Sequence, residues 1–387
     1  TLYHWDLPQA LQDEGGWTNR KILHWFEEYV DFCTKEYGDV VKNWMVMNEP
    51  AAFVGLGYML GYHAPGKKGP FNFLKATHHA CLAMADGGRI IRKNIKDANV
   101  GTTFSCSPVE PYKNKTNNRK AVQRIDTLIN RLYIEPSLGL GYPYDGFPAL
   151  RRIENYFGEG DLERLKFDFD FIGLQNYFRI VGKKSIWPPL VWAKEVPASK
   201  RNVPKNEMDF EIYPEGMYEI LKQFGQYDGI KNIIITENGV CFKDEIVNGK
   251  IHDEERIQFL KDYLQNIITN DIEKVNSNNS IFSALFTPQG KYLHEFFLIK
   301  SRNGFFLDFD SRSTKDLIDH LSKYKLRSKV EIKDLSSEYA IGIINLEKFK
   351  EIQSSEKKNS STILYRDCPV FIDPRSNKLG ARILSTL

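Results

Sequence analysis

The chain has 387 residues, of which 42% are hydrophobic and 27% charged, and its formal net charge is +3. This composition is typical of a folded protein and excludes disorder as the dominant state. No run approaches the 18 consecutive apolar residues of a membrane-spanning helix, and the near-neutral charge gives no general attraction to nucleic acid or anionic lipid. We therefore expect neither a membrane nor a nucleic-acid partner.

The five cysteines form no C-x-x-C pair, and their number is odd. They are Cys33, Cys81, Cys106, Cys241 and Cys368. This spacing favours free thiols in a reducing compartment over a disulfide framework or a zinc site. We expect a cytoplasmic protein without a metal or another cofactor. Because the first residue is Thr1 and no leader pattern follows it, we also expect the chain to begin within a fold.

The texture of the sequence changes along the chain. All six tryptophans lie in the first half, and the last 195 residues have none. Beyond about residue 266 the chain becomes rich in Ser, Asn, Lys and Ile. We place a boundary near residue 264, which predicts two segments, 1–263 and 264–387.

In the first segment, short apolar runs alternate with helical stretches. The predicted strands are Thr1–Asp6, Val40–Met47, Asn99–Phe104, Phe169–Tyr177 and Asn232–Glu237. A helix is predicted over Arg20–Tyr37, with Ile22, Trp25, Phe26, Val30 and Phe32 on one side. This rhythm favours an α/β fold with a parallel sheet, and it leaves a doubly wound sheet and a closed (β/α)₈ barrel as alternatives. No glycine-rich nucleotide motif follows any of these strands.

Two glutamates stand where predicted strands end. Glu49 lies in Met47–Pro50 and Glu237 precedes Asn238-Gly239. In a parallel barrel all loops after the strands open at one end, so these carboxyl groups would converge. Two convergent carboxyl groups are the minimum for cleaving a glycosidic bond. Taken singly, each glutamate is more typical of a helix cap or a solvated loop.

Aromatic residues strengthen this interpretation because sugar faces stack on flat rings. His4, Trp5 and Tyr177 also lie at predicted strand ends. Any one of them taken alone is more typical of a packed core than of a sugar platform.

Six blocks in the first segment carry a resemblance. They are Tyr3–Leu11 (YHWDLPQAL), Lys42–Pro50 (KNWMVMNEP), Gly61–Gly66 (GYHAPG), Asp170–Phe178 (DFIGLQNYF), Ile233–Val240 (IIITENGV) and Asp253–Leu264 (DEERIQFLKDYL). Together they resemble glycoside hydrolase family 1, the β-glucosidase family of TIM barrels. The resemblance implies a small β-glycoside or oligosaccharide as substrate.

The resemblance also implies residue roles in a retaining mechanism. Glu49 is the expected general acid/base and Glu237 the expected nucleophile, with carboxyl groups about 5–5.5 Å apart. Tyr177 matches the tyrosine that keeps the nucleophile ionised, and Asn48 the residue that contacts the sugar 2-hydroxyl. His4 and Trp5 match positions that contact the glycone.

The match to the family pattern is incomplete. Only strands three to seven of the eight have counterparts, and the tryptophan-rich segment after the seventh helix has none. An incomplete (β/α)₈ TIM barrel has two unpaired sheet edges. We expect little or no glycosidase activity and possible self-association through these edges.

The second segment resembles the YgfZ family of folate-binding, glycine-cleavage T-protein-like proteins. The similar blocks are 264–272, Ala284–Phe296, Gly304–Asp310, Tyr324–Ile332 and Phe371–Arg382. The residues themselves predict a hairpin turning at Thr287–Gly290, a helix over Asp316–Tyr324 and a strand over Lys329–Ile332, which is a partial α+β domain. A cluster of four basic residues is more typical of a solvated face than of a folate or RNA contact. The cluster is Lys323, Lys325, Arg327 and Lys329.

Two alternatives to a glycosidase follow from this second resemblance. One is a folate-binding factor in iron–sulfur protein maturation. The other is an inactive chimeric fragment, because the two resemblances meet at Leu264 and neither is complete.

Overall fold

The computed structural model describes residues 1–188, 191–265, 270–286, 292–301, 304–325, 332–353 and 360–386. They form two compact units, Thr1–Ile251 and His252–Leu387. The predicted joint between two family resemblances near residue 264 stays a prediction.

The first unit alternates helices and strands. Its α-helices are α1 (Gln9–Asp13), α2 (Ile22–Tyr37), α3 (Pro50–Val54), α4 (Pro70–Asn94), α5 (Thr116–Asp126), α6 (Ile134–Leu138), α7 (Asp161–Arg164) and α8 (Glu215–Phe224). Its strands are β1 (Asn43–Asn48), β2 (Asn99–Ser105), β3 (Val109–Pro111), β4 (Phe171–Gln175), β5 (Ile180–Lys184), β6 (Ala193–Glu195), β7 (Ile233–Glu237), β8 (Ile246–Val247) and β9 (Lys250–Ile251).

A parallel sheet with the strand order β1-β2-β4-β7 is the centre of this unit. Four of the five predicted strands are therefore confirmed as sheet strands. The prediction of a strand over Thr1–Asp6 was wrong in extent, because only Tyr3 forms a bridge, with Met47 of β1. The φ of +75° at Trp5 ends the extended conformation there.

The strand β4 shows why the sequences of the central strands are continuous apolar runs. All five of its residues are buried, as expected for a parallel strand covered on both faces. Its neighbours approach so closely that a Cβ atom at Gly173 would lie 2.7 Å from Thr103 and 2.8 Å from Thr236. Only glycine therefore fits between β2 and β7 at this level of the sheet.

The helix α2 confirms the predicted helix, with its start two residues later. Its buried residues include Ile22, Phe26 and Val30, spaced by one helical turn. Phe32 was wrongly assigned to this face, since 63% of it is exposed. It lies two residues beyond Val30, which places its side chain about 200° away around the helix.

Buried polar side chains tie the outer helices together. Asp161, which is 1% exposed, accepts hydrogen bonds from Arg20 and from the backbone of Gly158, and its other contact is His78 Nε2 at 2.8 Å. These contacts hold the pKa of Asp161 well below its usual range although burial alone would raise it. A buried carboxylate with several partners costs several kcal/mol to disrupt, so this cluster fixes α4 against α7.

The second unit combines antiparallel sheets with helices, an α+β arrangement. Its helices are α9 (Glu254–Gln265), α10 (Thr314–Lys325) and α11 (Leu346–Ile352). Its strands are β10 (Ile281–Phe286), β11 (Tyr292–Lys300), β12 (Phe305–Asp308), β13 (Tyr339–Ile344), β14 (Thr362–Tyr365), β15 (Cys368–Ile372) and β16 (Ala381–Thr386). They form two antiparallel sheets with the orders β10-β11-β12 and β13-β16-β15-β14.

Alternating side chains stack these elements in layers. Phe296 and Leu298 of β11 pack with Leu317 of α10. Their neighbour Phe297 points to the other side, where it packs with Phe371 of β15. The opposite face of β15 packs on Phe349 of α11. The two sheets are thus sandwiched between α10 and α11.

Most of the elements predicted for this segment can be compared. The antiparallel pair β10 and β11 and the helix α10 are confirmed. The predicted turn Thr287–Gly290 lies outside the described residues, as does the predicted strand Lys329–Ile332 apart from its last residue. All five cysteines are free thiols. Within the described ranges, no helix has the length and apolar character needed to cross a bilayer.

Two buried histidines make the first unit sensitive to acid. His79 is 4% exposed, and burial lowers its pKa from 6.5 to about 4. A base with a lowered folded pKa contributes stability above its unfolded pKa of about 6.5, and this contribution is lost as the pH falls towards 4. Burial also lowers the pKa of His78, with the same sign of effect.

We expect His79→Asn to flatten the pH dependence of stability. Asparagine can keep the hydrogen bond that the ring makes to the Trp17 carbonyl at 2.8 Å, but it cannot take up a proton. Between pH 7 and pH 5 the parent chain should lose about 2 kcal/mol of unfolding free energy through His79, and the variant should not. Urea titrations followed by tryptophan fluorescence report on this unit alone, since all six tryptophans lie in it.

The exposed His24, whose side chain is 70% exposed, provides the matched control. His24→Asn should leave the pH dependence as in the parent chain. An unchanged pH dependence in His79→Asn would show that the buried ring is not a source of acid sensitivity.

Candidate active site

The carboxyl ends of the four parallel strands meet at one edge of the sheet. The backbone N–H of Glu49 donates to Thr103 at the end of β2, and Ser105 pairs with Gln175 at the end of β4. Gln175 in turn pairs with Glu237 at the end of β7. The strand register shifts just before Asn48 and just before Gln175. Such irregularities turn side chains at the rims of sheets and are common beside active sites.

Glu49 stands at the turn from β1 into α3. Its φ of +46° and ψ of +62° lie in the left-handed region, which costs a non-glycine residue about 1–2 kcal/mol. The chain then starts α3 with Pro50, whose fixed φ suits a first helical position. The side chain is only 7% exposed. A strained, buried carboxyl group at a strand end is a mark of a functional position.

The environment of Glu49 raises its pKa from 4.5 to about 7. Burial is the largest cause, and the negative charge of Glu237 is the second. A hydrogen bond with Ser105 acts in the opposite direction. Near neutral pH this carboxyl group can therefore both hold and release a proton.

Glu237 has a different environment. It is half-buried, and its Oε2 accepts a hydrogen bond of 2.5 Å from the hydroxyl of Tyr177. Because the negative charge of Glu237 helps to raise the pKa of Glu49, the two carboxyl groups share one site.

His4, Trp5 and Asn48 form a connected group beside Glu49. The indole of Trp5 donates to the Asn48 carbonyl at 3.1 Å, and the Asn48 amide nitrogen lies 3.2 Å from His4 Nε2. Asn48 is 2% exposed, Trp5 is half-buried and His4 is exposed. The structure thus brings all three residues together on the rim of the sheet.

The sequence reasoning missed three polar residues that support this site. Asn48 Oδ1 accepts hydrogen bonds from Gln175 at 2.8 Å and from Thr103 at 2.9 Å. Ser105 reaches Glu49 from the end of β2. The signal was available, since each lies within the last three residues of a strand next to β1 or β7. Among the described residues, the buried side-chain oxygens Gln175 Oε1 and Asn176 Oδ1 have no hydrogen-bond donor.

The bonds to Gln175 and Thr103 fix the orientation of the Asn48 amide. Because Oδ1 is the acceptor for both, Nδ2 is the donor towards His4. His4 Nε2 is then the acceptor of this contact. Among the described residues, the second hydrogen of Asn48 Nδ2 has no acceptor.

An apolar cavity of about 390 Å³ lies beside α3 and the end of β2. Ala51 and Ala52, two and three residues after Glu49, line it from α3, and Ser105 lines it from β2, whereas neither glutamate lines it. Its other walls are mainly aliphatic and aromatic side chains, including Leu56 and Phe178. This volume and chemistry suit one apolar ring system or alkyl chain.

The sequence predicts a protein without a bound metal. Across the residues that the structure describes, no three His, Cys, Asp or Glu side chains are grouped so as to hold a metal ion.

A family model and several known proteins match most of this chain. The model of Glycosyl hydrolase family 1 matches residues 1–285, which extends past the predicted boundary at 264. Beta-glucosidase A of Acetivibrio thermocellus is 39% identical over 269 residues, and Beta-glucosidase A of Thermotoga maritima is 36% identical over 268 residues. Each alignment covers 68% of this chain and 59% of the relative.

Solved structures give the same coverage. The family 1 β-glucosidase from Thermotoga maritima has a TM-score of 0.64 at 34% identity, over 68% of this chain and 59% of its own. Its complex with deoxynojirimycin has a TM-score of 0.64 at 35% identity, with the same coverage. The chain therefore spans about 59% of the length of these relatives.

The α/β architecture is consistent with part of the family's TIM barrel. The strands β1, β2, β4 and β7 and the bridge at Tyr3 make an arc of that barrel, with the glutamates at its carboxyl edge. The match of the family model over most of the chain agrees with the similarity to several β-glucosidases. The chain belongs to glycosyl hydrolase family 1.

Proposed function

We propose that the first unit carries a retaining β-glycosidase site. The observation that carries the proposal is the opposite environment of two neighbouring carboxyl groups. Glu49 is buried with a pKa of about 7, whereas Glu237 accepts a hydrogen bond from Tyr177. One group suited to donate a proton and one suited to attack as an anion are what this reaction needs.

In the proposed reaction, a Glu237 oxygen attacks the anomeric carbon while Glu49 gives its proton to the departing glycosidic oxygen. A covalent glycosyl-enzyme forms and the alcohol leaves. Because the ester on Glu237 has no charge, the pKa of Glu49 then falls, and Glu49 takes a proton from water as the water attacks the anomeric carbon. Free sugar leaves and Glu237 is ionised again.

We assign the glycone side of the site to Asn48, His4 and Trp5. Asn48 is held by Gln175 and Thr103 and keeps one amide hydrogen for a sugar hydroxyl. The indole nitrogen of Trp5 donates to the Asn48 carbonyl, which orients the ring so that a sugar can stack on it. The names of the relatives support a β-glucoside as the substrate.

The leaving group is proposed to be apolar. The general acid must lie beside the departing oxygen, so the leaving group lies on the Glu49 side of the site. The cavity on that side is lined mainly by apolar side chains such as Leu56 and Phe178. We therefore infer that an aryl or alkyl β-glucoside fits better than a glucoside with a small polar leaving group.

We also propose that this site turns over glycosides only weakly. In the described part of the sheet, the arc from Tyr3 to β7 is not closed into a barrel. An open arc surrounds a sugar less completely, so we expect weaker glycone binding than in the relatives. Covalent labelling, which needs a single turnover, is therefore the first measurement.

The YgfZ-like resemblance of residues 264–387, with its folate-binding alternative, stays a prediction from sequence blocks. The matched hydrolase model reaches residue 285, inside that segment. Cytoplasmic location and self-association through sheet edges also stay proposals.

The first prediction concerns the nucleophile. Dinitrophenyl 2-deoxy-2-fluoro-β-glucoside should add one fluoroglucosyl group to Glu237, because the fluorine slows release of the intermediate more than its formation. Glu237→Gln should abolish the label. Intact mass and peptide mapping measure it. The matched control is Glu245→Gln, at a position whose side chain is 70% exposed, and this variant should be labelled like the parent chain. A folded parent chain that stays unlabelled would contradict the proposed function.

A second prediction follows from the raised pKa of Glu49. Cleavage of an unactivated β-glucoside needs the protonated acid, so kcat/KM should fall as the pH rises through about 7. Ser105→Ala removes a hydrogen bond that lowers this pKa, so the basic limb should move to higher pH. A dinitrophenyl glucoside, whose leaving group needs no proton, should lack the limb. A limb that stays fixed in Ser105→Ala would contradict the assignment.

A third prediction tests the leaving-group side. Ala52→Phe should fill part of the cavity and lower kcat/KM for octyl β-glucoside about tenfold relative to methyl β-glucoside, because buried methylene groups contribute about 0.8 kcal/mol each. The ratio is measured by competition between the two substrates. Ala340→Phe, at an exposed position of β13, is the control and should leave the ratio unchanged. An equal loss for both substrates in Ala52→Phe would place the leaving group elsewhere.

A further inference from the structure

The short link between β4 and β5 determines where the Tyr177 hydroxyl lies. It comprises residues 176–179. Asn176 fixes its start, since its side-chain amide donates to Cys106 at 2.9 Å and to Phe178 at 3.2 Å. The backbone N–H of Asn176 also donates to the Glu237 carbonyl at 3.2 Å. The start of the link is therefore tied both to β2 and to the strand that carries the second glutamate.

The end of the link is held by a different part of the chain. Arg179 donates to both carboxylate oxygens of Glu211, at 2.8 and 2.9 Å. Its guanidinium also lies 4.0 Å from the ring centre of Tyr213. One residue earlier, Phe178 stacks on Phe210 with the ring centres 4.2 Å apart. Residues 210–213 therefore contact the side chains of Phe178 and Arg179, the two residues that follow Tyr177.

Glu211 has a second arginine partner, Arg201. Its side chain is 3% exposed, and it accepts a further hydrogen bond of 2.6 Å from Arg201, whose side chain is 6% exposed. The two guanidinium groups keep the pKa of Glu211 below its usual value in spite of burial. A buried carboxylate between two arginines has one favourable geometry, because each planar guanidinium presents its donors in a fixed fork.

The same segment reaches the loop after Glu237. The backbone N–H of Glu207 donates to the Cys241 carbonyl at 3.1 Å. In addition, the Asn238 side chain donates to the Asn176 carbonyl at 2.7 Å. Residues 206–213 therefore contact the chain on both sides of the Tyr177–Glu237 hydrogen bond.

We propose that Glu211 is a positioning residue, which holds Arg179 and thereby fixes the link so that the Tyr177 hydroxyl donates to Glu237. The proposal deepens the proposed function and rests on it for its catalytic consequence. Without the Glu211 charge, Arg179 loses its bidentate ion pair, and the link of residues 176–179 becomes more mobile. The Tyr177 hydroxyl then donates to Glu237 less consistently.

Several other charged groups lie near Glu237 and Glu211, and the test must distinguish their effects from that of Glu211. Glu237 faces the Tyr177 hydroxyl and interacts with the Glu49 carboxyl. The charged residues around Glu211 and its arginines are Arg179, Arg201, Glu110, Glu195, Asp209 and Lys205. Of these, Arg179 and Arg201 are the ones that bond directly to Glu211.

The test uses the full chain with 3-fluorotyrosine incorporated only at position 177. Its ¹⁹F resonance should be narrow, and Glu237→Gln, which replaces the carboxylate that accepts from the Tyr177 hydroxyl, should shift it. Glu211→Gln should broaden the resonance and move it towards its position in Glu237→Gln. Arg179→Lys, which keeps the charge but loses the fork, should act in the same direction and serves if Glu211→Gln does not fold.

The matched control is Asp86→Asn. Asp86 is also a buried carboxylate between two arginines, Arg89 and Arg164, but it lies on α4 among the outer helices. Asp86→Asn should lower stability without changing the width or the position of the resonance. If Glu211→Gln and Arg179→Lys likewise leave both unchanged, Glu211 is only structural and the proposal is overturned.

A kinetic cycle gives an independent readout. Glu211→Gln should lower kcat/KM in the parent chain, but should have little further effect in Tyr177→Phe. Equal effects in both backgrounds would overturn the proposal. If the parent chain shows no labelling or turnover while the ¹⁹F results hold, the proposed function fails and the positioning role stands.

Discussion

The register of the parallel strands is the constraint on which the site depends. Glu49 bonds through its backbone to Thr103, Ser105 pairs with Gln175, and Gln175 pairs with Glu237. Each step is a backbone contact between neighbouring strands, so no glutamate can move along its strand without breaking the ladder. A shift by one residue would also turn the side chain to the other face of the sheet. The carboxyl groups therefore share one edge because the sheet has one register.

The chemical difference between the two glutamates arises after the register has placed them. Glu49 stands in a sharp turn and is buried, which favours its neutral form. Glu237 remains half-buried and accepts a hydrogen bond from the Tyr177 hydroxyl. The charge on Glu237 then adds to the effect of burial on Glu49. One residue thus helps to set the proton affinity of the other, as retaining glycosidase chemistry requires.

Local sequence patterns predicted the parts of the fold that depend on nearest neighbours. The apolar runs identified β1, β2, β4 and β7, because strands covered on both faces need continuous apolar residues. The extent of the first predicted strand was wrong, since Trp5 adopts a positive φ that its side chain does not reveal. The position of Phe32 was wrong because a single apolar residue can lie outside the buried stripe of a helix.

Contacts between distant residues explain what the sequence did not reveal. The pairs Gln175–Asn48 and Arg179–Glu211 join residues that lie 127 and 32 positions apart. Strand ends mark Glu49, Glu237 and Gln175 as candidates, because side chains at the ends of parallel strands lie at one edge of the sheet. Which of these side chains pair with one another, and that Glu211 pairs with Arg179, becomes visible only when the fold brings the partners together.

These contacts separate the orientation of the two carboxyl groups from the binding of a ligand. The described hydrogen bonds of Glu237 and Asn48 stay within the arc from Tyr3 to β7. The orientation of these side chains therefore does not require a closed barrel. Binding of a ligand does depend on how completely the site surrounds it, because affinity falls when fewer of its polar groups are paired. The strand register thus fixes the two glutamates, whereas the affinity for a ligand depends on the side chains that surround it.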